Sequence, residues 1–356
     1  MNNLPDFPWD RLEPYKARAR AHPGGIVDLS IGTPVDPVPE LIQDALVQAA
    51  DSPGYPTTHG TERLRRAAAG WLRRRHGVTV AEADVLPLLG SKEFVAWLPV
   101  YLGARSVVIP ELAYPTYDVG ARLAGAESTA TDGLLALGPQ AVDLVWVNSP
   151  GNPSGKVLPV EHLRKVVAWA RERGAVVASD ECYLELGWEE RPVSILHPDV
   201  CDGSHEGLLA VHSLSKRSNL AGYRAAFVTG DPVLVKRLLE IRKHAGMLMP
   251  APVQAAMAVA LADDRHADAQ RELYAARRAL LRPALEAAGW RIDHSTAGLY
   301  LWASDGRGSW DQVGDLAGRG ILAAPGEFYG SAGGRHIRVA LTATDERIDA
   351  AVRRLQ

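Results

Sequence analysis

The chain has 356 residues, 47% of them hydrophobic and 23% charged, and a formal net charge of −3 at pH 7. That length is enough to bury a large core and corresponds to about two domains. The near-neutral balance argues against a nucleic-acid-binding protein. Two cysteines, Cys182 and Cys201, make neither a disulfide framework nor a zinc-ligand spacing, which suits a reducing cytoplasm.

In chain order, the start "MNNLPDFPWDRLEPYKARARAHPGG" carries prolines and charges where a signal peptide needs an apolar core, so it is expected to stay in the mature protein. Residues 1–36 lack a domain's worth of pattern and are expected to pack with the smaller, C-terminal domain. The basic run Arg73–Arg75 ends a helical pattern and reads as a solvated helix terminus. From residue 85 short apolar runs alternate with helical periods: "VLPLL" (85–89), "SVVIP" (106–110), "DLVWVN" (143–148), "AVVASDE" (175–181), "GLLAVHS" (207–213) and "AAFVTG" (225–230). These runs are apolar on both faces, as strands covered by helices on each side must be. Helices are predicted at 92–103, 115–124, 160–173 and 231–244.

The uncharged segment "AGMLMPAPVQAAMAVALA" approaches the length of a membrane span. Pro250 and Pro252 interrupt it, leaving a stretch that fits a buried core helix and not a bilayer crossing. Beyond it come a long Ala/Arg/Leu-rich helical stretch to about residue 288, the strand "GLYLWAS", a helix near 309–319, the strand "HIRVAL" and a last helix from Thr344. The pattern predicts an α/β chain: a large domain over 37–250 with a doubly wound, mainly parallel sheet, and a small α+β domain over 251–356.

Polar residues gather where the predicted strands end. "HSLSKRSNLAGYR" (212–224) follows an apolar strand and places Ser213, Ser215 and Lys216 just past it, with Arg224 eight residues after the lysine. Hydroxyls and a guanidinium grip phosphate, and a lysine amine beside them can hold an aldehyde covalently. "LLGSKEF" puts Gly90, Ser91 and Lys92 at a strand-to-helix junction, where backbone N–H groups and the helix dipole hold anions. "SDECY" ends another apolar strand with Asp180 and Glu181, carboxylates that are seldom buried without partners. Taken singly, Lys216 reads more readily as a solvated loop lysine, Ser91 equally as a plain helix cap, and "VNSPGNPSGKVL" as a loop.

Together and in this order, "VNSPGNPSGKVL", "SDECY" and "SLSKRSNLAGYR" resemble the fold type I pyridoxal-phosphate enzymes, specifically the class I/II aminotransferases, over essentially the whole chain. The resemblance implies pyridoxal 5'-phosphate as cofactor and a homodimer with shared active sites. By that likeness Lys216 forms the covalent link to the cofactor and Asp180 binds its pyridine nitrogen. Tyr183 and Asn152 hydrogen-bond its phenolic oxygen. Ser91, Ser213 and Arg224, with the backbone at Gly90 and Lys92, grip its phosphate. Tyr114 stacks on its ring, and Tyr55 reaches the phosphate of a neighbouring subunit. Arg338 takes the substrate α-carboxylate, with Gly32 opposite and Asn152 nearby. The chemistry agrees: a carboxylate beside the ring nitrogen keeps it protonated, a freed lysine is a base over the reacting carbon, and a guanidinium matches a planar carboxylate.

The N-terminal "LPDFPWDRLEPYKARARAHPGGIVDLSIGTPVDPVP" is similar to the N-succinyldiaminopimelate aminotransferases of bacterial lysine synthesis, which implies glutamate as amino donor. A well-known aspartate aminotransferase subgroup has an arginine where Ala245 stands here, so a dedicated aspartate enzyme is disfavoured. Other aminotransferases of the class, acting on LL-diaminopimelate, alanine or aromatic amino acids, and a carbon–sulfur lyase, share the same cofactor residues. A non-catalytic regulator with this domain would need a DNA-binding domain in front, for which the short start leaves no room.

Overall fold

The computed structural model describes residues 4–356. Its first strand is short, β1 (Val27–Asp28). The apolar runs from residue 85 onward then form β2 (Val85–Leu89), β3 (Ser106–Ile109), β4 (Glu127–Ala130), β5 (Leu144–Asn148), β6 (Val176–Asp180), β7 (Leu208–Ser213) and β8 (Ala225–Gly230). These seven make one sheet in the spatial order β2–β8–β7–β6–β5–β3–β4. Strands β7, β6, β5, β3 and β4 run parallel, whereas β8 is antiparallel to both β7 and β2. The polar edge strand β4 has no counterpart among the expected strands, because its "ESTA" is half-exposed and lacks an apolar signature.

Strand alternation sends side chains to two separate cores. Val145, Val177 and Phe227 pack on one face with Leu64, Leu72 and Met257. Leu144, Trp146, Ala178 and Val211 pack on the other with Phe94, Tyr117 and Leu238. The helices Ser91–Leu102, Thr116–Ala124, Val160–Arg173 and Pro232–Ala245 stand within a residue or so of their expected positions. The helix Glu62–His76 is capped by Thr61, whose hydroxyl accepts from Leu64 N, and ends at the left-handed Gly77. Its basic last turn is ion-paired and not simply solvated: Arg74 binds Asp264 at 2.7 Å, and Arg75 binds Glu185 at 3.0 Å and Asp268 at 2.6 Å.

A second body carries β9 (Arg291–Asp293), β10 (Tyr300–Ser304), β11 (Ile321–Leu322), β12 (Ala324–Pro325) and β13 (Ile337–Ala340). Four of these form an antiparallel sheet in the order β12–β13–β10–β9, and β11 pairs parallel with β1. The core of this body includes Leu12, Ala19, Val27 and Leu29 from the N-terminal segment together with Leu301, Leu316 and Ile348. Asp36 adds a half-buried tie, since Arg277 grips it at 2.5 Å and reaches Asp345 at 2.8 Å.

The division at residue 250 needs correction in one element. The helix Ala251–Ala262, grouped by sequence with the C-terminal domain, packs on the helices Glu40–Gln48 and Glu62–His76 and buries Met257 and Leu261 in the core of the large sheet. The change of core comes with the next helix, Arg265–Ala287, which buries Tyr274, Leu281 and Leu285 in the C-terminal body. The long apolar stretch concealed this break, because neither Asp263 nor Asp264 is a helix breaker by composition. Among the described residues no helix is long and apolar enough to cross a membrane.

Candidate active site

The sheet register assembles one edge. Asn148 pairs with Asp180, and Asp180 with Val211, two residues before Ser213. Because β8 runs antiparallel, its start lies at that same edge: Ala225 pairs with Leu89 and Ala226 with Ser213, bringing Arg224 beside Gly90. This is the carboxyl end of the parallel strands, where open α/β sheets bind ligands. A cleft of about 370 Å³ opens there, walled by Gly32, Ser91, Lys92, Tyr114, Asn152, Asp180, Tyr183, Ser213, Lys216, Arg224 and Arg338.

At one end of the cleft the helix Ser91–Leu102 begins at Gly90 with no side-chain cap, so its first N–H groups face the cavity with the positive end of the helix dipole. Gly90 has φ +83°, and a Cβ there would stand 2.0 Å from Arg224 Nη2, so only glycine permits this approach. Arg224 is itself left-handed, with φ 57°, and donates to Ala221 O at 2.8 Å. Ser213 Oγ accepts from Ser215 N at 3.1 Å and lies 2.9 Å from Ser215 Oγ. Together these groups form an anion cradle.

Asp180 forms the floor. It is 7% exposed; Tyr117 Oη donates to Oδ2 at 2.9 Å and Cys182 N to Oδ1 at 3.2 Å. Burial pushes its carboxyl pKa up, against the pull of those hydrogen bonds. Lys216 stands on the turn after β7, and burial lowers its amine to about 8, with Arg338 and Arg224 adding repulsion. About a tenth of the amine is therefore uncharged and nucleophilic at pH 7, far more than for an ordinary lysine.

The far end is built from distant parts of the chain. Arg338 on β13 is 2% exposed and donates from Nη1 to Asn152 Oδ1 at 2.9 Å and from Nη2 to Ser30 O at 2.6 Å. Its guanidinium lies 4.0 Å from the Tyr300 ring centroid and 4.9 Å from that of Tyr329. Tyr300 Oη is 3.1 Å from Tyr183 Oη, and a Cβ on Gly32 would fall 2.2 Å from it, so glycine at 32 is what lets the tyrosine lie beside the arginine. Asn152 is placed by its own N–H, which donates to Asn148 Oδ1 at 2.7 Å. Phe7 and Trp9 roof the mouth, with Lys92 Nζ 5.5 Å from the Phe7 ring centroid.

Two expected residues are not wall residues of the cleft. Gly90 sits behind Arg224, its side of the cleft occupied by that guanidinium. Tyr55 lies outside the cleft and is 96% exposed. Conversely, Tyr117, Tyr300, Ser30, Asn148, Phe7 and Trp9 were not singled out. Tyr117 lies three residues after Tyr114, in the first turn of the helix Thr116–Ala124, and its stacking on Trp146 at 5.0 Å shows only in the fold. Tyr300 read as an ordinary strand aromatic. Phe7 and Trp9 were visible only as apolar residues in an otherwise polar start.

Comparison with known proteins agrees with this geometry. The family described as "Aminotransferase class I and II" matches residues 25–355. The chain is 60% identical over 358 residues, covering 100% of both chains, to 4-dedimethylamino-4-oxo-anhydrotetracycline transaminase OxyQ of Streptomyces rimosus. It is 63% identical to the probable aminotransferase Rv1178 of Mycobacterium tuberculosis, over 99% of this chain and 85% of that one. Among solved structures, a probable N-succinyldiaminopimelate aminotransferase from Thermus thermophilus is similar with a TM-score of 0.88 and 27% identity, over 98% of this chain and 99% of the other.

Proposed function

The chain belongs to the class I and II aminotransferases, enzymes that depend on pyridoxal 5'-phosphate, and from that premise we propose roles for its residues and a substrate. The observation that carries the roles is the meeting, in one cleft, of a lysine amine lowered to about 8, a buried carboxylate and a buried guanidinium. The residues fit the cofactor. The uncapped helix start, Ser91, Ser213 and Arg224 suit a phosphate, Asp180 a ring nitrogen, and Tyr114 a ring face. When bound, the cofactor supplies an electron sink for the charge left on the reacting carbon.

In this reading Lys216 would carry the cofactor, and its Nζ would move a proton at the substrate α-carbon. Asp180 holds a proton on the ring nitrogen and is itself held by Tyr117 and the Cys182 amide. Arg338 fixes the α-carboxylate with the help of Asn152, which sets the orientation of the breaking C–H bond. Tyr183, held by Tyr300, and Asn152 orient the phenolic oxygen.

The substrate is N-succinyl-LL-diaminopimelate, exchanging with 2-oxoglutarate and glutamate. Lys92 supports this reading: it lines the cleft beside Phe7, and among the described residues no carboxylate pairs with it, so it can take the remote carboxylate of a long substrate. The Thermus structure supports the same substrate class. A second reading, amination of a polycyclic ketone, is favoured by the 60% identity with OxyQ and by the aromatic roof of Phe7 and Trp9. The test compares kcat/KM for N-succinyl-LL-diaminopimelate with LL-diaminopimelate, aspartate, alanine, aromatic amino acids and the OxyQ ketone. Faster turnover of the unacylated compound or of an aromatic amino acid removes the first reading; preference for the ketone establishes the second.

The active unit in this proposal is a homodimer in which the exposed Tyr55 reaches the neighbouring phosphate, and the free thiols Cys182 and Cys201 suit the cytoplasm. Mixing inactive Tyr55→Ala and Lys216→Ala chains restores activity if sites are shared, because one hybrid site keeps both residues. Subunit exchange without recovery contradicts it.

A further inference from the structure

Directly behind the cleft lies a buried acid–imidazole pair for which the roles above have no use. Glu181 follows Asp180 in the chain, and His212 precedes Ser213 on the neighbouring strand. Their side chains are 1% and 2% exposed, with His212 Nε2 3.7 Å from Glu181 Oε2. The imidazole is wedged between Trp71, at 5.2 Å edge to face, and Phe227, at 4.9 Å. Glu181 Oε1 accepts from Ile195 N at 2.7 Å, and the Ser194 and Ser179 hydroxyls also serve the carboxyl group. Oε2 has no donor, and neither ring nitrogen of His212 has a partner. The charged surroundings are Asp180 on the strand and His76 at the end of the helix behind Trp71. Beyond Trp71 lies Arg217, already tied to Glu185, which also binds Arg75.

Two consecutive buried carboxylates do not both ionise cheaply, and each raises the other. We propose that Glu181 is held as the neutral acid, its Oε2 proton directed at His212 Nε2, so that Asp180 alone carries negative charge at the floor of the site. Glu181 and His212 are then positioning residues: they touch neither cofactor nor substrate, and they act through the charge on Asp180. Burial moves both groups in the required direction, raising Glu181 to about 7 and keeping His212 well below its ordinary value. The unpartnered Oε2 is the atom that gains a donor function by protonation, and the unpartnered Nε2 is an acceptor only when the ring is neutral.

The inference rests on Asp180 being the partner of the cofactor nitrogen, and the experiment separates the two. The readout is the pH titration of the cofactor's absorbance in the holoenzyme. Glu181→Gln keeps a neutral side chain and leaves the titration midpoint within about 0.3 unit of the parent. His212→Leu removes the acceptor and releases Glu181 to ionise; added negative charge favours the protonated cofactor link, so the midpoint rises by about 0.5–1 unit. The double variant Glu181→Gln/His212→Leu returns to the parent midpoint, a recovery that a purely structural role for His212 does not give.

Nitrogen-15 NMR of the histidines, with the His212 signal assigned by its loss in His212→Leu, shows a neutral ring from pH 6 to 9. An imidazolium signal, a shifted midpoint in Glu181→Gln, or failure of the double variant to recover overturns the inference. Asp180→Asn, titrated alongside, tests the underlying assignment alone: an unchanged cofactor spectrum there removes Asp180 from the role while leaving the NMR result on His212 to stand.

Discussion

The two ends of the cleft are built by different physics. At the anion cradle and the floor beside it, Asp180, Ser213, Gly90 and Arg224 all lie at strand termini of one sheet, and the backbone ladder sets their spacing. At the carboxylate end, Arg338 is held by the Asn152 side chain, the Ser30 carbonyl and the rings of Tyr300 and Tyr329, so the N-terminal segment, the large body and the C-terminal body must dock before it is in place. A site anchored by register tolerates small shifts between bodies, whereas one assembled by docking transmits them to the substrate. In the proposed roles the chemistry would reside in the end set by the sheet and the selectivity in the assembled end.

The most severe way to break the first end is Lys216→Ala. Transamination falls by about a thousandfold or more, while cofactor still binds without a covalent link, as seen by its absorbance and its release on gel filtration. The assembled end is tested by Arg338→Lys, which keeps the charge but loses the fork that meets Asn152 and Ser30 together. We expect kcat/KM for every amino acid to fall about a hundredfold with the cofactor spectrum unchanged, measured by steady-state kinetics.

A smaller change sharpens the contrast. Gly32→Ala places a methyl group 2.2 Å from Tyr300 Oη, so the tyrosine moves away from Arg338. A loss of about tenfold in kcat/KM, carried by KM, is expected, with no change in cofactor affinity.

The smallest effect concerns stability of the cofactor-free protein. The folded-state pKa of Lys216, about 8, lies below its unfolded value of about 10.4, so the unfolded chain binds more protons between those values. The penalty from Lys216 is fully present below pH 8, and stability rises with pH through that window. Lys216→Met removes this rise and stabilises the cofactor-free protein at pH 7, as urea denaturation at several pH values will show.

The same division explains what was legible. The apolar strands of the large sheet and the polar residues that end them are contiguous in the chain, so the place of Asp180, Ser213 and Lys216 could be read directly. Arg338 was found only through resemblance, because one arginine in "HIRVAL" carries no local signal, and its partners Ser30, Tyr300 and Tyr329 lie in segments with none either. The helix Ala251–Ala262 was misgrouped for a related reason: apolar residues on every side do not reveal which core they join. Lys92 was expected to offer its backbone, and its side chain at the mouth became visible only beside Phe7. Glu181 read as a buried carboxylate in need of a partner, but His212 carried no signal, and their opposition across β6 and β7 depends on register.

The central claim, that the register-built end holds the cofactor through Lys216, is tested most directly by borohydride reduction of the holoenzyme followed by peptide mapping. The account predicts a single stable label on the peptide containing "HSLSKR", at Lys216, and none in Lys216→Ala. A label on Lys92 or any other lysine in the parent protein would contradict it.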